Sequence, residues 1–130
     1  LALWLPGRIP DADEVRWLKP RFPKALWIAV ERLLDADDAA RCADLCAIAS
    51  TTGLPLTAAG DVHMHGRERR ALQDTLTAIR LKTSVAQAGH ALHTNGQHLL
   101  RPLAKLSRSS TQACLEDTQA IYGRYTFPTA

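Results

Sequence analysis

The sequence lacks any long hydrophobic run, and this excludes the protein classes that depend on one. No apolar stretch approaches the roughly 20 residues that a membrane-spanning helix needs, so we expect no membrane partner. Segment 1–5 is too short for the apolar region of a signal peptide, and no basic stretch precedes it. An initiator methionine is also missing, which predicts a piece of a longer chain. With 46% hydrophobic and 22% charged residues, the composition is typical of a soluble globular protein, which we expect in the cytoplasm.

Cysteine is scarce as well. Cys42, Cys46 and Cys114 are odd in number, and disulfide-stabilised domains are usually shorter and richer in cysteine. Cys42 and Cys46 are four residues apart and share one face of a predicted helix. This spacing would allow the two thiols to bind zinc together or to act as a redox pair. Small buried thiols are the commoner explanation and are favoured here.

The formal net charge of +3 is unevenly distributed along the chain. Residues 1–65 carry 7 basic and 9 acidic side chains, a net charge of −2. Residues 66–130 carry 9 basic and 4 acidic side chains, a net charge of +5. A basic half suits a nucleic-acid partner, and an ordinary solvated surface explains the excess equally well.

Alternating strands and helices in the first sixty residues predict an α/β fold with parallel strands. The predicted elements are strands at 1–5, 25–30 and 54–59 and helices at 11–19 and from Asp35 to Gly53. Segment 25–30 is apolar on both faces, as expected of a parallel strand covered on both sides. Asp35 is predicted to cap the second helix and Gly53 to end it. The predicted apolar stripe of that helix consists of Ala39, Cys42, Cys46 and Ala49.

Beyond residue 66 the pattern becomes helical and then irregular. The remaining predicted elements are a helix at 67–81, loops and short turns at 83–102, and a helix at 111–122. Leu72, Leu76 and Ile79 recur at helical spacing and are the predicted buried stripe of the first of these helices. The chain therefore divides into an α/β unit at 1–82 and an irregular connection with a helix at 83–130.

Asp61 and His63 carry the sharpest signal of chemistry in the sequence. They follow the third predicted strand, and the carboxyl ends of parallel strands are where α/β proteins place their active sites. Residues two apart in a strand share a face, so the pair should converge, with Leu56 and Ala58 facing the helical layer. Carboxylate and imidazole suit zinc, manganese or iron, and His65 adds a third candidate ligand. Alternatively, Asp61 caps the next helix and the histidines are polar surface residues.

The segments around this pair resemble a known family. Residues 54–65 (LPLTAAGDVHMH) and 69–80 (RRALQDTLTAIR) resemble the last metal-motif strand and the following helix of the PHP domain. More narrowly, they resemble the version found in bacterial error-prone DNA polymerases, the damage-induced relatives of the DNA polymerase III α subunit. Segments 3–6 and 27–31 resemble earlier strands of that domain, and 95–102 resembles the stretch leading out of it.

The resemblance implies a distorted (β/α)₇ barrel, of which this chain would be the later part, with zinc or manganese ions at its carboxyl-end mouth. Asp61 and His63 match the closing Asp-x-His motif of that metal site. The opening His-x-His motif belongs to the first half of the domain, outside this sequence, and Trp4 stands where many relatives carry a cysteine ligand. The site is therefore expected to be incomplete, with weak or no metal binding by this chain.

The same resemblance implies that the parent protein is a DNA-directed DNA polymerase, a nucleotidyltransferase that copies damaged templates with low fidelity in DNA repair and replication. This chain would act mainly as a scaffold that touches DNA, other polymerase domains or accessory subunits, and it would be inactive alone. Two alternatives stay open. One is a PHP-type metal-dependent phosphoesterase or 3′–5′ exonuclease, and the other is a module that only binds DNA or a partner.

Several other residues are candidates for a functional role, and each also has an ordinary structural explanation. Glu31 ends the second strand and is a candidate site-lining residue, although a surface carboxylate is favoured. The arginines that open the helix at 67–81 are candidate DNA contacts or a solvated face: Arg67, Arg69 and Arg70. The irregular region contains three histidines that could form a metal cluster, although solvated loop residues are the favoured interpretation: His90, His93 and His98. The tryptophans are interpreted as core or helix-packing residues: Trp4, Trp17 and Trp27.

Overall fold

A parallel sheet of three strands lies at the centre of the computed structural model, which describes residues 1–102, 104–106 and 112–124. The strands are β1 (Ala2–Trp4), β2 (Leu26–Glu31) and β3 (Leu56–Ala59), in the order β1-β2-β3. Both pairings are parallel, so the α/β class and the strand-helix-strand alternation are confirmed. Within the described ranges the sheet is an open layer with β2 in the middle.

Helices connect and flank the strands close to the predicted positions. They are α1 (Ala12–Leu18), α2 (Asp38–Thr52), a 3₁₀ turn (Arg67–Arg69), α3 (Arg70–Arg80), α4 (Val85–Ala88), a 3₁₀ turn (Gly89–Ala91), a helical turn at 104–106 and α5 (Gln112–Gly123). Asp11 caps α1 by accepting a 2.8 Å hydrogen bond from the amide of Asp13. Gly53 ends α2 in the left-handed region (φ 67°), which favours a residue without Cβ. Among the described residues, every helix is too short or too polar to span a lipid bilayer.

The main core lies between one face of the sheet and helices α1 and α2. Its buried cluster consists of Trp4, Val15, Leu26, Ile28, Val30 and Leu45. Val15 and Ile28 have no exposed surface, and Leu45 is 1% exposed. Burial of such side chains is the main favourable term in folding, at about 1.5–3 kcal/mol each.

Helix α2 differs from its prediction at its start and on its buried face. It begins at Asp38 rather than just after Asp35, and the Asp38 carboxylate accepts a 2.7 Å hydrogen bond from the amide of Leu34. Leu45 is the buried residue because it is a large apolar side chain and gains more from burial than alanine or cysteine. Of the predicted stripe, Cys42 and Ala49 pack against the core, whereas Ala39 and Cys46 are exposed.

The opposite face of the sheet is also covered. Trp27 and Ala29 point to this face of β2 and are 4% and 1% exposed. Helix α5 packs against β3, where the hydroxyl oxygens of Thr57 and Thr118 lie 2.9 Å apart. The prediction that β2 is covered on both sides is therefore confirmed.

The predicted buried stripe of α3 is wrong. Leu72, Leu76 and Ile79 are 52%, 53% and 66% exposed, and the residues that α3 buries are Thr77 and Ala78. The helix is amphipathic, but its smaller, more polar face packs inward. Its apolar face therefore lies on the surface of this chain.

Two of the three tryptophans are core residues as predicted. Trp4 is 5% exposed and its indole nitrogen donates a 2.8 Å hydrogen bond to Glu14, and Trp27 is similarly buried. Trp17 is 58% exposed, with the guanidinium carbon of Arg21 at 3.6 Å from its ring centre. Its prediction as a packing residue is wrong, because a cation–π contact replaces burial there.

The three cysteines are free thiols of different exposure. Cys114 is buried. Cys42 is half-buried and Cys46 is exposed, so the prediction of buried thiols at these two positions is wrong for Cys46. All three line a cavity of about 60 Å³ together with Leu56 and Ala58 of β3, which face the helical layer as predicted. Partial desolvation and the neighbouring Cys42 raise the pKa of the Cys46 thiol, which keeps it protonated.

Candidate metal centre

The chain turns sharply where β3 ends. Pairing with β2 stops at Ala59, and Asp61 adopts a positive φ of 39°. Aspartate is one of the few residues besides glycine that visits this region, because its short side chain bonds locally. Asp61 and His63 therefore lie beyond the strand, and strand alternation is not what orients them.

The turn nevertheless brings Asp61 and His63 together. Nε2 of His63 lies 3.0 Å from Oδ1 of Asp61, and both side chains are about 40% exposed. The predicted convergence of the two side chains is confirmed, although a turn produces it. His65, the third candidate, lies apart: it is 68% exposed and its Nε2 is 3.3 Å from Oε1 of Glu68.

A distant segment completes the arrangement. The chain around residue 99 runs parallel to the chain around residue 64, forming a single bridge between Met64 and Leu99. The carbonyl of His98 accepts hydrogen bonds from the amides of His63 and Met64 at 2.9 and 3.0 Å. The amide of Leu100 donates to the carbonyl of Met64 at 2.9 Å. This pairing places His98 beside the turn at Asp61.

His98 is buried against the Asp61 carboxylate. It is 6% exposed, and its Nδ1 lies 3.0 Å from Oδ2 of Asp61 and 3.1 Å from the Asp61 carbonyl oxygen. One oxygen of Asp61 thus contacts His63 and the other contacts His98. The carboxylate bridges the two imidazoles.

The imidazole ring of His93 lies next to the rings of His63 and His98. Its ring centre lies 3.8 Å from that of His98 and 4.8 Å from that of His63. One ligand nitrogen from each of the three histidines lies within 4.8 Å of the other two. Burial lowers the pKa of His93, and the adjacent His98 and His63 lower it further, so the neutral, metal-binding form is favoured.

The interpretation of the irregular region as carrying only solvated histidines is therefore wrong for His93 and His98 and right for His90, which is exposed. No local period could reveal this, because the histidines meet through pairing between residues about 35 apart. The sequence signal was the segment 95–102 of the resemblance, which contains His98 but does not show which residues it contacts.

The loop that carries these histidines is tied to the chain after β2. The side-chain amide of Asn95 donates to the carbonyl of Leu33 at 2.8 Å and to Oδ1 of Asp35 at 3.0 Å. Its oxygen accepts from the amide of Gln97 at 2.9 Å. Thr94 also donates to Asp35, at 2.7 Å. Asp35, which the sequence suggested as a helix cap, is thus used to anchor this loop.

Glu31 lies at the carboxyl end of β2, as predicted, with its side chain 14% exposed. Its Oε2 is 3.6 Å from Nη2 of Arg41, which also donates to the carbonyl of Pro6 at 3.1 Å. The carboxylate therefore faces a cation of α2. The structure does not bring it together with the three histidines.

The three candidate arginines occupy different environments. Arg70 donates to the carbonyl of His93 at 3.1 Å, so it supports the histidine loop. Arg67 and Arg69 are exposed. Arg69 lines a groove of about 290 Å³ together with His63, so a phosphate in this groove would meet both a cation and an imidazole.

Comparison with known proteins adds the wider context. No protein-family model matches the chain. It is 50% identical over 131 aligned residues to a protein of Pseudomonas savastanoi pv. phaseolicola, which covers 98% of this chain. That protein is named an error-prone DNA polymerase. The chain therefore matches part of an error-prone DNA polymerase.

Two further relatives carry the same name. The protein of Methylococcus capsulatus is 46% identical over 98% of this chain, and that of Azoarcus sp. is 50% identical over 88%. The chain spans only a small part of these proteins, 13% of the Pseudomonas relative and 12% and 11% of the other two. It therefore matches one segment of error-prone DNA polymerases at about 50% identity.

Proposed function

We propose that this chain is a segment of an error-prone DNA polymerase, forms the later part of its PHP domain and acts there mainly as a scaffold. The observation that carries the proposal is the 50% identity over 98% of the chain to an error-prone DNA polymerase. Because the match covers 13% of that relative, the polymerase activity would belong to the whole protein. Damaged-template synthesis is then the function that this segment supports.

The exposed face of α3 supports a bracing role. Leu72, Leu76 and Ile79 form an apolar stripe on the surface of this chain. Contiguous apolar surface on a soluble protein usually marks a contact with another surface. The occupant we propose is the remainder of the same polymerase chain, which accounts for most of the length of the relatives.

The open sheet fits the same proposal. In the described residues β1 pairs only with β2, so its other edge is available to a further strand. Parallel sheets normally have both faces covered and often close into barrels. Strands from an upstream half would extend this sheet into the PHP-type barrel that the resemblance implies.

A chimera tests the bracing role. This chain replaces the matching segment of the Pseudomonas savastanoi polymerase. Primer extension by the chimera across a template lesion is then measured. We expect the chimera to retain extension, and the double variant Leu72→Glu/Leu76→Glu to reduce it about tenfold or more, because charges would be buried in an apolar contact.

The matched control is Ala71→Glu/Thr75→Glu, which adds the same charge at exposed positions of α3 that flank the leucines. It should leave extension within about twofold of the chimera, as surface substitutions usually do. Both double variants should leave the folding of the isolated chain unchanged, since all four positions are exposed in it. Equal loss in the two chimeras would contradict a contact at the leucine face.

Direct DNA contact is a second candidate function, favoured by the exposure of Arg67 and Arg69 beside the histidine groove. We expect the 130-residue chain to bind single-stranded DNA weakly, with affinity that falls as salt rises. Fluorescence anisotropy across a salt series measures this. The double variant Arg67→Ala/Arg69→Ala should make the slope of log affinity against log salt shallower by about 1.4, since each lost phosphate contact removes roughly 0.7.

The control for this measurement is Arg8→Ala/Arg16→Ala. It removes the same charge, but these arginines pair with Asp37 and Asp13. The control should therefore keep the slope of the unmodified chain. Binding that ignores salt, or an identical change in both variants, would exclude a DNA contact at Arg67 and Arg69.

A further inference from the structure

We infer that His63, His93 and His98 form a mononuclear site for a zinc-type divalent metal, in which Asp61 orients two of the ligands from outside the coordination sphere. The resemblance implied a different site, in which Asp61 and His63 bind metals with ligands from an absent half. The inferred site draws its protein ligands from this chain alone. It rests on the geometry of this chain and does not require the polymerase assignment.

The donor set suits zinc. Three imidazole nitrogens and one open position are a common zinc arrangement, with metal–nitrogen distances of about 2.0–2.1 Å. Tetrahedral geometry at that distance separates the nitrogens by about 3.4 Å. One ring nitrogen of each histidine already lies within 4.8 Å of one nitrogen from each of the other two, so the three rings are close enough to share one metal ion.

Asp61 fixes the tautomer of two neutral ligands. Its two oxygens lie 3.0 Å from Nε2 of His63 and 3.0 Å from Nδ1 of His98. In neutral rings each hydrogen-bonded nitrogen carries the proton, which leaves the lone pair on the other nitrogen. Metal-bound histidines usually have such a carboxylate or carbonyl partner, which fixes the ring and raises its basicity.

The backbone around the ligands is fixed on two sides. The His98 carbonyl accepts from the amides of His63 and Met64, so two ligands sit on directly paired segments. The carbonyl of His93 accepts from Arg70 of α3 at 3.1 Å. His63 is the exposed member of the three. The metal would therefore lie near the surface, where an open position reaches solvent.

Metal titration of the 130-residue chain tests the site because all five histidines can be compared. We expect one cobalt(II) ion per chain, with the visible absorption of a tetrahedral complex, and displacement by zinc(II). Each of His63→Gln, His93→Gln and His98→Gln should weaken binding more than about 100-fold, beyond the 10–100-fold loss typical of an outer hydrogen-bond partner. His65→Gln and His90→Gln are the matched controls and should bind as the unmodified chain does.

Asp61→Asn separates an orienting role from a ligand role. It should keep one metal per chain and weaken binding by about 10–100-fold. The inference is overturned if His65→Gln weakens binding as His98→Gln does, if the His93 and His98 variants bind normally, or if a sulfur-to-cobalt charge-transfer band appears. A loss in Asp61→Asn as large as in the histidine variants would overturn the orienting role.

Folding is checked separately, because replacing the buried His98 removes contacts from the interior of the chain. Circular dichroism and the urea midpoint of each metal-free variant supply that check. The unmodified chain gives an independent readout: zinc should shift the imidazole NMR signals of His63, His93 and His98 and leave those of His65 and His90 in place. The leucine and control variants of the polymerase chimera leave these histidines unchanged. The scaffold proposal and the metal-site inference can therefore fail independently of each other.

Discussion

Replacing Leu45 with alanine should lower the free energy of unfolding by about 3 kcal/mol, whereas Leu72→Ala should change it by less than about 0.5 kcal/mol. Both leucines lie within helices, but Leu45 is 1% exposed and Leu72 is 52% exposed. Truncation of Leu45 removes buried apolar contacts and leaves a cavity against β2, while truncation of Leu72 removes side-chain surface that is largely in water. Urea denaturation of the 130-residue chain measures both changes.

Ile28→Val is a useful third variant, because it removes one methylene group from the same core without a large cavity. It should cost about 0.5–1.5 kcal/mol and so lie between the two leucine variants. A Leu72→Ala loss as large as that of Leu45→Ala would mean that α3 packs through its leucine face. The originally predicted stripe would then be correct.

The order and type of the elements in the first sixty residues could be predicted from the sequence because local signals agree there. Segment 25–30 is apolar at every position, and β2 is buried on both faces. Asp11 and Gly53 have strong capping preferences, and each marks a helix end in the structure. Such signals depend on backbone chemistry within a few residues, so no distant contact is needed to interpret them.

The faces of the helices could be predicted less well. In α2, alanine and cysteine give a weak apolar stripe, and the choice between Leu45 and Cys46 is made by contact with β2. In α3, the periodicity of Leu72 and Leu76 correctly indicates an amphipathic helix. It does not say whether the partner of the apolar face lies within this chain.

The candidate site could likewise be predicted only in part from the sequence. Asp61 and His63 are close in sequence, so their meeting could be expected even though a left-handed turn rather than a strand produces it. His93 and His98 reach them through one parallel bridge and a loop held by side chains. Irregular pairing of this kind has no period, so the sequence alone could not predict it.

Asn95→Ala should destabilise the histidine loop by about 2 kcal/mol, because three hydrogen bonds of about 0.5–1.5 kcal/mol each are lost from a partly buried group. These bonds reach Leu33, Asp35 and Gln97. The loss of stability should appear as more frequent local opening of the histidine loop, since the loop lies outside the main core. Amide hydrogen exchange at Met64 measures it, because that amide donates to the loop at His98. The exchange rate should rise about 30-fold.

Two comparisons make this result specific to Asn95. Thr94→Val removes one exposed hydrogen bond to Asp35 and should speed Met64 exchange no more than about fivefold. The amide of Ile28, which donates to the carbonyl of Pro55 in the sheet, should exchange at its original rate in both variants. If Ile28 exchange rises along with that of Met64, Asn95 stabilises the whole domain rather than the loop. If neither rate changes, the hydrogen bonds of Asn95 do not position the histidines.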